Sequence, residues 1–175
     1  MRKIPLLFLL LIFSACTLVP AQTFDLDKDR LPVVSLNGLW RFHTGDNPAW
    51  ADPNFDDSGW SLLRSDRSWA EQGYPGYEGF AWYRFQLLIP PKLTDISINP
   101  PVILNAYEIY ADGVLIGAYG KMPPHGELWT SNRYLVYKIP QLRGLPAATS
   151  RKIEIAVRVS SWSSGLSYFG GGPLK

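Results

Sequence analysis

The chain is built of short segments in which apolar and polar residues alternate, with turn-forming residues in the gaps. A period of two, in segments rich in aromatic and β-branched residues, is typical of half-buried β-strands. The pattern predicts an all-β fold: an antiparallel β-sandwich with little helix and no parallel strand pairs. The predicted strands are Leu39 to His43, Trp60 to Arg64, Phe80 to Ile89, Val102 to Leu104, Tyr107 to Ala111, Val114 to Tyr119, Tyr134 to Ile139 and Lys152 to Val159.

Two loops carry signals for their own conformation. Asp112-Gly113 lies between two predicted strands, and this dipeptide accepts the positive φ angles of a tight hairpin turn. The segment Asn54 to Gly59 is expected to form one helical turn, in which Asp56 and Asp57 cap backbone amides.

A series of motifs follows in a characteristic order: LNGLWRF at 36–42, FDDSGW at 55–60, GFAWYR at 79–84, DGVLIG at 112–117 and AVRV at 156–159. In this order they resemble the N-terminal sugar-binding domain of the family 2 glycoside hydrolases, the β-galactosidase and β-glucuronidase group. The resemblance runs from about Leu36 to Val159, and Asp112 stands where the family usually has Asn. It implies a jelly-roll sandwich of the galactose-binding-like type.

The resemblance does not bring catalysis with it. In that family the two catalytic carboxylates stand on a separate TIM barrel, which alone takes about 250 residues. The present chain has 175. Similar domains precede such barrels, and they also serve as extracytoplasmic sensor modules of bacterial membrane signalling proteins.

Residues 1–21 have the pattern of a secretory signal peptide. Met1-Arg2-Lys3 is basic, Leu6 to Phe13 is almost entirely apolar, and Val19-Pro20-Ala21 offers the small residues that a signal peptidase recognises. The apolar stretch is too short to span a bilayer as a helix, which takes about 20 residues. Cleavage before Cys16 is the alternative and would allow a lipid anchor on that cysteine. Either route predicts an exported protein, periplasmic or extracellular.

The rest of the chain divides into an extended arm (22–35), one β-sandwich domain (36–169) expected to be monomeric, and a flexible tail or truncated linker (170–175). Removing Arg2 and Lys3 reduces the 17 basic residues to 15, which equals the 15 acidic residues. A near-neutral domain lacks the charge of a nucleic-acid-binding protein, so no nucleic-acid partner is expected.

Aromatic residues sort into a core set and a loop set. Trp40, Trp60, Trp82 and Tyr83 lie in or beside predicted strands and are expected in the core. Others lie in three Gly- and Pro-flanked loops, which we expect at one end of the sandwich, where aromatic rings could stack on a sugar. The candidate ligand-binding residues are Trp69, Tyr74, Tyr77, His125, Glu127, Trp129, Trp162 and Tyr168.

No catalytic residue, metal site or cofactor is expected. The five Glu residues are scattered through the chain, and His43 and His125 are far apart in sequence with no cysteine nearby. The Gly-rich tail lacks the Lys and Ser or Thr of a phosphate-binding loop. Arg84, which lies within a strand, is expected to be one side of a buried or edge ion pair.

The sequence thus predicts a non-catalytic, exported carbohydrate-binding-like module, either the sensor part of a larger signalling protein or the accessory domain of a glycosidase. Two alternatives remain. The chain could dock onto another domain or protein through an exposed face of the sandwich, or it could be a fragment of a family 2 glycoside hydrolase.

Overall fold

A computed structural model describes residues 23–25, 33–91, 93, 95–100, 106–124, 135–140 and 149–161. Short 3-10 helices occupy Pro48–Ala51 and Ala70–Gln72. None of the described helices is long and apolar enough to cross a membrane. The strands are β1 (Thr23–Asp25), β2 (Leu39–Thr44), β3 (Ser61–Arg64), β4 (Gly79–Ile89), β5 (Ser97–Ile98), β6 (Ala106–Ala111), β7 (Val114–Tyr119), β8 (Tyr137–Lys138) and β9 (Arg151–Ser161).

The main sheet has seven strands in the order β3-β2-β4-β9-β6-β7, with β1 beside β4. Its centre is the antiparallel pair β4 and β9, in register from Gly79 opposite Ser161 to Ile89 opposite Arg151. Every pair along this order is antiparallel. The exception to the predicted antiparallel pairing is β1, which runs parallel to β4 over Thr23–Asp25.

The sandwich forms because alternate side chains of the main sheet face a second, two-stranded sheet, β5-β8. Tyr83, Phe85 and Leu87 of β4 lie on this inner face, and Ile98 and Ile139 close it from the opposite side. All belong to one buried cluster. The predicted β-sandwich is therefore confirmed.

Trp40, Trp82 and Tyr83 are at most 1% exposed, and Trp60 is also buried. The placement of all four in the core is confirmed.

The Asp112-Gly113 turn joins β6 to β7 as predicted. The φ angles of Asp112 and Gly113 are 45° and 78°, a left-handed pair that a hairpin needs and that Asp-Gly tolerates. A register shift between Ile109 and Tyr110 adds a β-bulge to the hairpin.

The prediction of a helical turn at Asn54 to Gly59 was wrong. A short helix lies earlier in the chain instead, at Pro48–Ala51. Asn47 caps that helix through its side chain, which accepts from the Ala49 amide at 3.0 Å, and Pro48 suits the first helical position. Asp56 does cap, accepting from the Ser58 amide at 3.0 Å.

Two further strand predictions meet the boundary of the described residues. Val102 to Leu104 lies outside them. The segment predicted at Tyr134 to Ile139 is described only from residue 135, and its strand is limited to Tyr137–Lys138.

Candidate functional site

Trp69 is a core residue. Its side chain is 1% exposed, and its indole N–H donates a hydrogen bond to the hydroxyl of Tyr83. A ring must offer one face to solvent before a sugar can stack on it, and Trp69 offers none. The prediction that Trp69 contacts a ligand was therefore wrong. Alternation identifies buried residues only within strands, and Trp69 enters the core from a loop.

Tyr74 and Tyr77 follow in the same loop and are half-buried. The Tyr74 ring packs edge-on against Phe42 at 4.9 Å between centroids. The Tyr77 hydroxyl donates to the Phe80 carbonyl at 2.7 Å and accepts from the Gly45 amide at 3.2 Å. Both side chains therefore fasten the loop to β2 and β4, and only their remaining exposed surface is accessible to a ligand.

The other candidate ligand-binding residues, His125, Glu127, Trp129, Trp162 and Tyr168, lie outside the described residues. The meeting of the three loops at one end of the sandwich therefore stays a prediction.

The opposite side of the main sheet, which we call the outer face, is partly covered by residues 45–60, the covering loop. Trp50 of this loop lies 6.1 Å from the Trp82 ring and 5.2 Å from the Trp60 ring, nearly perpendicular to both. The exposed His43 ring lies 4.9 Å from Trp50. Edge-to-face contacts of this kind stabilise a packed aromatic cluster.

Arg84 lies at the centre of the outer face and is 1% exposed. Its Nε donates to Asp57 Oδ2 at 2.8 Å, and its Nη1 donates to the carbonyls of Trp50 and Asp52. A buried guanidinium requires such partners, because an unpaired charge in the interior is costly. The predicted ion pair of Arg84 is confirmed, and it explains why Asp57 does not cap a turn.

Glu154, on β9, is the second carboxylate near this guanidinium. Its Oε1 lies 3.5 Å from Arg84 Nη2, and the side chain is 7% exposed. Burial raises the pKa of Glu154 to about 7, and the nearby charge of Asp57 acts in the same direction while Arg84 opposes both. The group is thus close to half-protonated at neutral pH.

A second charged network lies beside the first and reaches solvent. Asp46 accepts from Arg158 at 2.6 and 2.8 Å and from the Trp82 indole at 3.0 Å. Arg158 also donates to Glu108 at 3.0 Å, and Glu108 accepts from the Tyr110 hydroxyl at 2.8 Å. These bonds hold the pKa of Asp46 below its usual range, although burial opposes them.

Sequence reasoning missed this second network. The signal lay in the strand period: Glu108 and Arg158 occupy outward-facing positions in strands whose other face is apolar. Polar residues at such positions face away from the core, and two neighbouring strands carried opposite charges there.

Arginine pairing is common to the carboxylates of both networks. Each buried or half-buried carboxylate of the two networks is paired with an arginine. Within the part of the chain that the structure describes, no group of three His, Cys, Asp or Glu side chains could hold a metal ion.

Solved structures with the same fold include family 2 glycoside hydrolases. A calcium-binding mutant of Bacteroides uniformis β-glucuronidase 2 is 25% identical, with a TM-score of 0.58 over 80% of this chain. A family 2 member from Bacteroides cellulosilyticus is 19% identical, with a TM-score of 0.60 over 81% of the chain. A Ruminococcus gnavus β-glucuronidase is 17% identical, with a TM-score of 0.52 over 73% of the chain.

The likeness is confined to a domain-sized part of these enzymes. The chain covers 17%, 19% and 20% of the three proteins, respectively. No protein-family model matches the chain, and no curated protein is significantly similar to it in sequence. Most of the chain therefore resembles one domain of family 2 glycoside hydrolases.

Proposed function

We propose that this chain is a non-catalytic, exported carbohydrate-binding module, the accessory domain of a glycosidase or the sensor part of a larger signalling protein. The observation that carries the proposal is the extent of the likeness: the chain corresponds to 17% of a β-glucuronidase. The use of the outer-face carboxylates in arginine pairs supports a non-catalytic role for this part.

The ligand in this proposal is a carbohydrate held at one end of the sandwich. The exposed parts of Tyr74 and Tyr77 form one side of the site, and Trp129 and Trp162 are the proposed stacking platforms. His125 and Glu127 would exchange hydrogen bonds with sugar hydroxyls. Binding should be weak, on the order of micromolar to millimolar, because an open site buries little area.

The binding test is a titration with mono- and oligosaccharides that follows tryptophan fluorescence. Trp129→Ala and Trp162→Ala should each weaken binding at least about tenfold if each ring supplies a stacking surface. Val136→Ala is a matched control, because Val136 is 58% exposed and assigned no ligand contact. Unchanged binding in both Trp variants would remove this site, and no binding across a broad sugar panel would remove the carbohydrate proposal.

The catalytic test is separate. The purified chain should not hydrolyse aryl β-glucuronides or β-galactosides above the rate of buffer. Turnover that disappears when one of the five glutamates is changed to Gln would contradict the non-catalytic assignment. The positions to test are Glu71, Glu78, Glu108, Glu127 and Glu154.

Docking onto another domain is the second candidate, and a specific observation favours it. Val114 and Leu115 on β7 are each 51% exposed, an unusual position for large apolar side chains on a strand. This apolar edge is a surface that a partner could cover.

A further inference from the structure

The Arg84 guanidinium lies between two carboxylates, one from the covering loop and one from the sheet. Asp57 of the loop accepts from Arg84 Nε at 2.8 Å, whereas Glu154 of β9 lies 3.5 Å from Arg84 Nη2. Nη1 donates to two further groups of the loop, the carbonyls of Trp50 and Asp52. Arg84 therefore holds the middle of the covering loop on the sheet, and Glu154 is a charge partner that does not depend on the loop.

The two ends of the covering loop are attached to the sheet without Arg84. Near one end, Asp46 accepts from Arg158 and from the Trp82 indole. At the other end, Trp60 is buried just before β3. Residues 52–54, between these points, are exposed. The middle of the loop can therefore lift by breaking the Arg84 bonds and the ring contacts beneath it, while both ends stay in place.

The environment of Glu154 opposes its negative charge. Burial has the largest effect and raises the pKa of Glu154 to about 7, Arg84 of β4 acts in the opposite direction, and the negative charges of Asp57 and Asp112 add to the effect of burial. Lys152 lies two residues away on the same face of β9, but its side chain is exposed. Among these groups, Asp57 is the one that the covering loop brings to the site.

The repulsion between Asp57 and Glu154 acts on both groups. When Glu154 loses its proton, lifting the loop removes Asp57 from the site and admits water to the buried charge, so both penalties fall. Arg84 keeps Glu154 as its partner, so no buried guanidinium is left unpaired. Asp57 also lies 3.9 Å from Arg41 Nε, but this second arginine is partly exposed and its attraction is screened by water.

We propose that the covering loop is a proton-controlled cover of the outer face, closed while Glu154 is protonated and Arg84 pairs with Asp57. It lifts over residues 50–57 when Glu154 is ionised and becomes the partner of Arg84. Lifting exposes the side chains of Trp82 and Ala156, which are 0% and 1% exposed in the closed form.

The direction of the pH dependence follows from proton binding. The closed form holds the Glu154 proton more tightly than the lifted form, in which the carboxyl is hydrated. Closure is therefore most stable below the ordinary pKa of a glutamate, about 4.3, and the preference for it is lost as pH rises through about 7.

Thiol labelling of Ala156→Cys measures the lifting, because position 156 belongs to the cluster that Ala51 and Trp60 form beneath the loop. Ala81→Cys is the matched control: Ala81 is equally buried but lies on the inner face, so it is labelled only when the sheet unfolds. Both variants also carry Cys16→Ser, which removes the one natural cysteine. A pyridyl disulfide is the probe, and each rate is divided by that of a cysteine peptide to remove the titration of the thiol.

We expect the corrected rate at position 156 to rise about tenfold between about pH 5.5 and 7.5 and to exceed the rate at position 81 throughout. Glu154→Gln should abolish the rise at position 156, because Gln is neutral at both pH values. Asp57→Asn should increase labelling at the lower pH, because an amide is a weaker acceptor for Arg84 than a carboxylate.

Equal corrected rates at positions 156 and 81 would overturn the proposal, because both thiols would then report unfolding of the whole sheet. A rate at position 156 that is independent of pH, or that rises equally with Glu154→Gln, would overturn the control by Glu154. Circular dichroism verifies that each variant folds. Ala51→Cys, at a buried position of the loop itself, replaces Ala156→Cys if that variant does not fold, with the same expected rates.

Discussion

Trp82 shows how a single residue joins the sheet to the loop that covers it. Its ring lies 5.6 Å from the Tyr110 ring in a stacked contact, and its indole N–H reaches Asp46 on the covering loop. Trp82→Ala should lower the free energy of unfolding by about 3 to 5 kcal/mol, the usual cost of truncating a large buried side chain.

Denaturant unfolding measures this loss. Val136→Ala, at a mostly exposed side chain, should change stability by less than about 0.5 kcal/mol. If Trp82→Ala lowers the free energy of unfolding by less than about 1 kcal/mol, the Trp82 side chain is not buried as the structure shows.

Glu154 makes the stability of the chain depend on pH. Its pKa rises from 4.5 to about 7 on folding, so the folded state binds more protons than the unfolded state between these values. The free energy of unfolding should therefore fall as pH rises from about 5 to 7, and this contribution should level off above that range, with a total on the order of 3 kcal/mol.

The measurement compares wild type with Glu154→Gln at each pH, because groups common to both cancel in the difference. Asp112→Asn is the informative second variant: it keeps the acceptor for the Glu154 amide and removes a negative charge that raises the pKa of Glu154. The Asp112→Asn variant should therefore show a smaller fall in the free energy of unfolding between about pH 5 and 7. Parallel pH profiles for wild type and Glu154→Gln would rule out titration of Glu154 in this range.

At the scale of elements, the two sheets are joined by a contact that requires a glycine. A Cβ atom at Gly117 on β7 would lie 2.0 Å from Cδ1 of Tyr137 on β8. Because the ring carbon nearest its own backbone is also close, rotation of the side chain cannot relieve the clash. Gly117→Ala should therefore push β8 away and cost about 1 to 3 kcal/mol.

Thermal or denaturant unfolding at low protein concentration tests this. Gly59→Ala is the matched control, since a Cβ there meets nothing within 4 Å. Adding Tyr137→Ala to Gly117→Ala should remove most of the penalty, as expected for two residues in direct contact. Additive losses would mean that the two sheets do not meet at this point.

Over the whole molecule, the features that the sequence predicted are those with a regular apolar period, and the features that it missed have none. The long strands and the Trp40 and Trp82 core positions followed from alternation, which reports side-chain burial directly. The β1 strand did not, because a three-residue pair depends on backbone hydrogen bonds that leave no apolar period. The short helix at Pro48–Ala51 was not predicted, because residues a few positions later are equally good helix-capping types.

The candidate site divides in the same way. Arg84 was predicted to form an ion pair, since a charged residue inside an apolar strand needs a partner. Its partners Asp57 and Glu154 were not predicted, because they come from distant parts of the chain. Trp69 was assigned to a ligand on the ground that loops need not be buried, but this loop folds back into the core.

The position of β9 at the centre of the sheet has a consequence for how the chain folds during synthesis. β9 pairs with β4 on one side and with β6 on the other, yet it lies at residues 151–161, after every other strand that the structure describes. Until it leaves the ribosome, β4 and β6 each have one edge without its partner, so the nascent chain holds two separate pieces of sheet. A chain truncated before Arg151 should therefore be digested rapidly by proteases, because its two pieces of sheet cannot join into a smaller folded domain.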